Sequence, residues 1–281
     1  MKVLFFWFGL LMVALSANSQ GFHINLFAGA SNYQGDLQSK RFTFNQAHFA
    51  GGVGFSCDLS QHLAVRAGFK LGKVSADDKY GRNSSRNLSF SSQLTEGDID
   101  LQYFITPLGT GSLTPYVFAG LSLYHYNPYT FDTSGTKYYL QPLSTEGEGF
   151  IAGRKMYSLT QIGIPFGAGV KLALSDNLNV GLEVGFRKLF TDYLDDVSTT
   201  YVDKNLLLAN RGQKAVELSY RGDEIKGGSL VYPDSGAQRG NPGSKDWYYF
   251  TGLTLSFRLG NGLIGHGNGK NADWDCPKTV L

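Results

Sequence analysis

Five histidines, two cysteines and one run of closely spaced carboxylates are the residues of this 281-residue chain best suited to chemistry. The histidines stand at positions 23, 48, 62, 125 and 266, and no two have the spacing of metal ligands on one element. His125 offers a general base for a hydrolase, but the sequence places neither a serine nor an acid beside it. The chain has no Gly-x-Ser-x-Gly elbow, no Gly-x-x-x-x-Gly-Lys phosphate loop and no His-Glu-x-x-His.

Thr191-Asp192-Tyr193-Leu194-Asp195-Asp196 sets three carboxylates within five residues, a density that attracts Ca²⁺. Its oxygens do not alternate and no glycine makes the turn, as an EF-hand loop requires. The reading adopted is a loop motif in which Thr191, Asp192, Tyr193, Asp195 and Asp196 bond to loop backbone or pair with Arg187 and Lys188. Cys57 and Cys276 are too few to scaffold a chain of this length. Three fates stay open for Cys276: a bond to Cys57, a free thiol, or a bridge to a partner chain. The expectation is a protein with no catalytic residue, no cofactor and no metal.

The elements that position these residues are strands. Glycine numbers 36, aromatic residues make up 14% and charged residues only 17%, against about 25% in soluble domains. The formal net charge is +2, which excludes nucleic-acid binding by bulk positive charge. Met1-Lys2, an apolar run from Val3 to Leu15 and small residues through Ser19 give residues 1–19 the form of a secretory signal. That run is too short for a spanning helix, which needs roughly 20 residues.

Period-two alternation defines eight segments. From Ile162 to Leu174 one parity reads Ile162, Ile164, Phe166, Ala168, Val170, Leu172, Leu174 and the other Gly163, Pro165, Gly167, Gly169, Lys171, Ala173. After a tight turn, Leu178, Val180, Leu182, Val184 and Phe186 oppose Asn179, Gly181, Glu183, Gly185 and Arg187. Segments of about ten residues match strands that cross a bilayer at a tilt. Short turns at 60–62, 107–114 and 175–177 alternate with long polar loops at 36–47, 77–88, 131–158 and 197–245. The last loop contains a candidate short helix within 202–211.

The expected fold is therefore all-β, an eight-stranded antiparallel transmembrane barrel with short periplasmic turns and long extracellular loops. Its domains are the signal at 1–19, the barrel at 20–259 and a flexible periplasmic C-terminal tail at 260–281. A soluble barrel of the lipocalin kind would turn its apolar face inward. Here the polar parity is glycine-rich and sets Glu96, Asp98, Asp100 and Glu183 against Arg66, Lys70, Lys171, Arg187 and Arg258, the composition of a narrow lumen filled by ion pairs.

Four segments carry a resemblance: Tyr33-Gln34-Gly35-Asp36-Leu37, Glu146-Gly147-Glu148-Gly149-Phe150, Ile164-Pro165-Phe166-Gly167, and the run from Gly185 through Thr191-Asp192 to Tyr201. Together with Cys276-Pro277-Lys278 in the tail, they resemble small outer-membrane barrel proteins of the PorG type, subunits associated with the type IX secretion system. The resemblance implies a non-enzymatic barrel that anchors or assembles a periplasmic ring built from a lipoprotein and a partner subunit. It also implies that Cys276, Pro277 and Lys278 serve partner binding, with Cys276 able to form a disulfide to the lipoprotein. The alternatives kept beside it are an outer-membrane hydrolase and a loop-mediated adhesin on the same barrel.

Overall fold

A computed structural model describes residues 21–38, 43, 45–81, 83–107, 113–175 and 177–259. The expected signal and the expected tail, with Cys276, Pro277 and Lys278, lie outside the described residues.

Eight long strands follow one another around a closed wall: β1 (Phe22–Gln34), β2 (His48–Asp58), β3 (Leu63–Asp77), β4 (Ser89–Phe104), β5 (Leu113–Tyr126), β8 (Thr160–Ser175), β9 (Leu178–Leu189) and β10 (Trp247–Leu259). Two three-residue strands, β6 (Tyr129–Phe131) and β7 (Lys137–Tyr139), form a small hairpin in the loop between β5 and β8. All pairings are antiparallel, and β1 joins both β2 and β10, so the sheet has no free edge among the eight. Closure of this kind removes the unpaired N–H and C=O rows that a membrane interior cannot satisfy.

The period-two pattern sorts side chains as the pleat requires. Phe49 is 77% exposed, Leu121 66% and Phe55 63% on the outer face, whereas Glu96 and Arg187 are fully buried on the inner one. An apolar exterior around a charged interior is the arrangement of a barrel wall in lipid. Glycine makes room inside it. At Gly185 an added Cβ would lie 2.6 Å from Arg187 Nη1 and 2.8 Å from the Phe118 ring, so the missing side chain is the space the guanidinium occupies.

The strands run 11 to 16 residues, longer than the expected ten, and the extra length lies toward the long loops. There β3 and β4 continue as a hairpin in which Ala76 faces Phe90. The turns at the other end are short: Ser60 and Leu59 amides both donate to Leu63 O. In the last long loop, α1 (Lys204–Arg211) starts at Asp203, whose carboxylate caps the Leu206 amide at 2.9 Å. Gly212, at φ +80°, separates it from α2 (Gln213–Ser219). Val202, Leu207, Ala215 and Val216 form a satellite core with Phe150 and Ile151 of the β5–β8 loop, so the two longest loops fold as one cap.

Leu121 tests the sidedness of the wall. In lipid vesicles Leu121→Arg is expected to destabilise the barrel by about 2–4 kcal/mol, read from denaturant unfolding, because an outward charge at mid-strand meets hydrocarbon. An unchanged midpoint would place that face in water.

Candidate functional site

Two polar assemblies occupy the interior, one in the lumen and one beneath the loops. In the lumen, Arg66 bridges Asp100 at 2.9 Å and Glu183 at 2.5 Å, and Lys70 lies 2.8 Å from Asp98. Arg187 reaches Glu96 at 2.7 Å, and Glu96 also accepts the Tyr248 hydroxyl at 2.5 Å. The register supplies these contacts: Arg66 faces Asp100 across β3 and β4, and Lys70 faces Glu96 four residues along. A cavity of about 20 Å³ remains beside Arg66, Lys70, Lys171 and Glu183, room for about one water.

Two expected lumen ion pairs are corrected. Lys171 is buried but donates to Gln102 Oε1 at 3.1 Å, with no carboxylate within bridging distance among the described residues. Arg258 comes so late in β10 that it reaches the exposed turn-end rim instead of the lumen. A pair the sequence reading did not name, His23 with Asp58 at 2.9 Å, closes the lumen there. His125 is exposed and bonds Thr160 Oγ1 at 3.0 Å, and among the described residues no acid is bonded to it.

The second assembly joins three of the segments singled out in the sequence. Tyr33, at the end of β1, has its hydroxyl 2.5 Å from Asp195 Oδ2 and 3.0 Å from Asp246 Oδ1. One hydroxyl proton serves only one of these acceptors, so the other contact needs a proton on a carboxyl group. Gly35 follows because a Cβ there would collide with both Asp246 Oδ1 and the Tyr33 hydroxyl. Glu146 accepts from the Ser198 and Thr199 amides at 2.9 and 2.7 Å and from Arg239 Nη1 at 2.9 Å. Gly147 and Gly149, at φ +88° and +84°, let the chain turn so tightly that Glu148 also points into the protein. Asp196, itself at φ +65°, accepts from the Thr145 and Tyr157 hydroxyls, both at 2.6 Å. Tyr157 stacks on Tyr193 at 4.8 Å between ring centroids.

Thr191, Asp192, Tyr193, Asp195 and Asp196 are thus brought together, held by backbone amides and by hydroxyls that the sequence reading did not name. The expected pairing with Arg187 and Lys188 does not occur: Arg187 belongs to Glu96, Lys188 is exposed, and the cation beside Asp196 is Arg239 at 3.9 Å. Arg239, Asp246 and Tyr157 were not foreseen, since only the fold brings them to this run. Among the described residues no group of three or more His, Cys, Asp or Glu has metal-binding geometry.

Carboxyl groups outnumber cations in this knot, and burial governs their protonation. Burial, then the negative charges of Asp196 and Glu146, push Glu148 up to about 8. Burial raises Asp192 to about 7 and Asp196 to about 6, and it drives Asp195 and Asp246 well above the usual carboxylate range. Glu148 Oε1 and Asp192 Oδ1 have no hydrogen-bond partner among the described residues, an arrangement much costlier for a carboxylate than for a neutral acid.

A family model described as a domain of unknown function, DUF6089, matches residues 1–207. The chain belongs to this family. The DUF6089 match includes the whole Thr191–Asp196 run, while Arg239 and Asp246 lie beyond it. No curated protein matches the chain. Among solved structures, Neisserial surface protein A aligns with 11% identity over 86% of this chain and 100% of its own, at a TM-score of 0.44. Ail, the attachment invasion locus protein of Yersinia pestis solved with the heparin analogue sucrose octasulfate, aligns with 7% identity over 86% and 99%, at 0.42. A major outer membrane protein from Thermus thermophilus aligns with 13% identity over 86% and 100%, at 0.43.

Two outcomes follow for this DUF6089 barrel. Glu96→Ala leaves Arg187 buried and unpaired, and is expected to cost about 3–5 kcal/mol in denaturant unfolding in micelles. The knot carries the second. Glu148, Asp192 and Asp196 hold protons in the folded state that the unfolded chain releases at lower pH, so their stabilisation is complete below the ordinary carboxylate range. It is lost as pH rises through about 6, 7 and 8, the values of Asp196, Asp192 and Glu148. Hydrogen exchange of residues 190–246 should quicken over that range, and Glu148→Gln, which stays neutral, should flatten the rise. Exchange that slows with pH after correction for its intrinsic rate would reverse the sign.

Proposed function

We propose that this protein is a non-enzymatic outer-membrane barrel subunit that anchors or assembles a periplasmic ring of a type IX-like secretion system. The observation that carries this reading is the meeting of three resemblance segments in one knot. Tyr33–Leu37, Glu146–Phe150 and Thr191–Tyr201 lie far apart in sequence, yet Tyr33 bonds Asp195, and Glu146 and the neighbouring Asp196 both face Arg239. The likeness to PorG-type barrels therefore rests on one connected site. The filled lumen agrees with it, because a wall packed with ion pairs leaves binding at the two ends as its use.

On this reading residues 1–19 are a cleaved export signal, the long loops face outward and the short turns face the periplasm. β10 ends at Leu259 opposite Phe22 on the turn side, the side that this reading assigns to the periplasm and the ring. Cys276, Pro277 and Lys278 then act in partner binding, and Cys276 forms a disulfide with the ring lipoprotein.

Affinity purification of the tagged chain from detergent-extracted outer membranes should recover a periplasmic lipoprotein and its partner subunit. Non-reducing gels should show a DTT-sensitive adduct that Cys276→Ser removes. Recovery of the barrel alone, with a tag that preserves its insertion, would contradict the anchoring role.

A further inference from the structure

The loops form a second polar feature, which borders the knot through Arg239. A cavity of about 530 Å³ opens beside Tyr201 and Tyr220, with Asp36, Asn83, Gln238 and Asn241 around it. That volume is within the roughly 300–1,000 Å³ of small-molecule sites.

Its aromatic wall is fixed in place. Tyr201, Tyr220 and Tyr232 meet edge to face with ring centroids 5.8 to 6.1 Å apart. The Tyr201 amide donates to Ala237 O at 2.9 Å, and the Tyr220 hydroxyl donates to Ser229 O at 3.2 Å. Gly240 lies so close to its neighbours that a Cβ would fall 2.5 Å from Asp36 Oδ2 and 2.6 Å from the Ser198 backbone.

Arg86 and Arg239 also line the cavity, but their charges are committed. Arg86 binds Asp78 through Nε and Nη2, each at 2.7 Å, and Arg239 binds Glu146 at 2.9 Å. Asp36 Oδ2 accepts the Asn241 amide at 2.7 Å. What remains for a ligand is the Asp36 carboxylate, which no cation bridges among the described residues and which repels an anion, together with uncharged groups of mixed polarity. Gln238 Nε2 donates to Gly240 O at 3.1 Å, which leaves its carbonyl oxygen to accept. Asn241 Oδ1 accepts the Gly243 amide at 3.2 Å, which leaves its NH₂ to donate.

An anionic ligand would need a guanidinium not already neutralised, and an apolar one would strip water from the amides without replacing it. A pyranose ring meets both demands, with hydroxyls that donate and accept and a C–H face that lies against a tyrosine. We propose that the loop face of this barrel carries a binding site for neutral saccharides, walled by Tyr201 and Tyr220. The inference is independent of the anchoring reading, which concerns the opposite end of the barrel. Two sources offer this chemistry: the surface polysaccharide of the cell's own envelope, and glycans reaching it from outside.

The test is saturation-transfer NMR on the full-length folded chain in a detergent without a sugar headgroup. The probes are cellotriose, mannotriose, chitotriose, the delipidated polysaccharide of the source cell, and a sulfated disaccharide. Transfer to ring C–H protons of at least one neutral glycan is expected. Tyr220→Ala should weaken it about tenfold, while Tyr220→Phe, which keeps the ring, should retain most of it. Gln238→Ala, an exposed change, supplies a second variant, and heat-modifiable migration on gels confirms that each variant is folded. Binding of the cell's own polysaccharide alone assigns an envelope ligand, and binding of the trisaccharides alone assigns an external one. Silence of every neutral probe, preference for the sulfated one, or affinity unchanged in both Tyr220→Ala and Gln238→Ala would overturn the proposal.

Discussion

The contact on which the rest depends is the buried pair of Glu96 and Arg187. Neither side chain reaches solvent, and between them they connect β4 with β9; the Tyr248 hydroxyl adds β10, and Lys70, 4.0 Å from Glu96, adds β3. A charge desolvated to this degree is tolerable only when its partner is held in place. The barrel wall holds it, and the pair in turn fixes which residues face inward. Slipping any of these strands by one residue would turn a charge toward lipid and an apolar side chain into the lumen.

Above that pair the problem changes from excess charge of both signs to an excess of one. The loops bury more carboxyl groups than the two arginines Arg86 and Arg239 can neutralise, so the cap works by sharing protons and accepting tyrosine hydroxyls. The two devices suit their places. Ion pairs between rigid strands hold a fixed shape, whereas a knot of carboxyl groups, hydroxyls and backbone amides ties loops from four parts of the chain, with burial raising Glu148, Asp192 and Asp196.

Much of this was legible before the structure, for definite reasons. The alternation from Ile162 to Phe186 is fixed by a wall that has lipid on one side, and it gives β8 and β9 nearly residue for residue. Parity also named Arg66, Lys70, Glu96, Asp98, Asp100, Glu183 and Arg187 as inward. It could not name partners, because Lys171 is bonded to an amide and Arg258 lies past the end of the lumen. The strand extensions at Ser89–Gln93 were hidden for a related reason. Above the lipid band the pattern inverts: Phe90 turns into the core and Ser89, Ser91 and Gln93 take the outer face, so the outward apolar parity of the lower strand does not continue there. The carboxylates of the Thr191–Asp196 run were visible as a group, but their cation, Arg239, lies over forty residues away, and only tertiary folding brings it to them.

The central claim is a closed barrel whose lumen is filled, so that its work is done at its ends. Single-channel recording of the purified, folded chain in a planar bilayer tests this most directly. The account predicts no stable conductance at any polarity, because Arg66, Arg187 and their carboxylate partners occupy the bore. Long-lived, reproducible openings that disappear when the barrel is unfolded would contradict it.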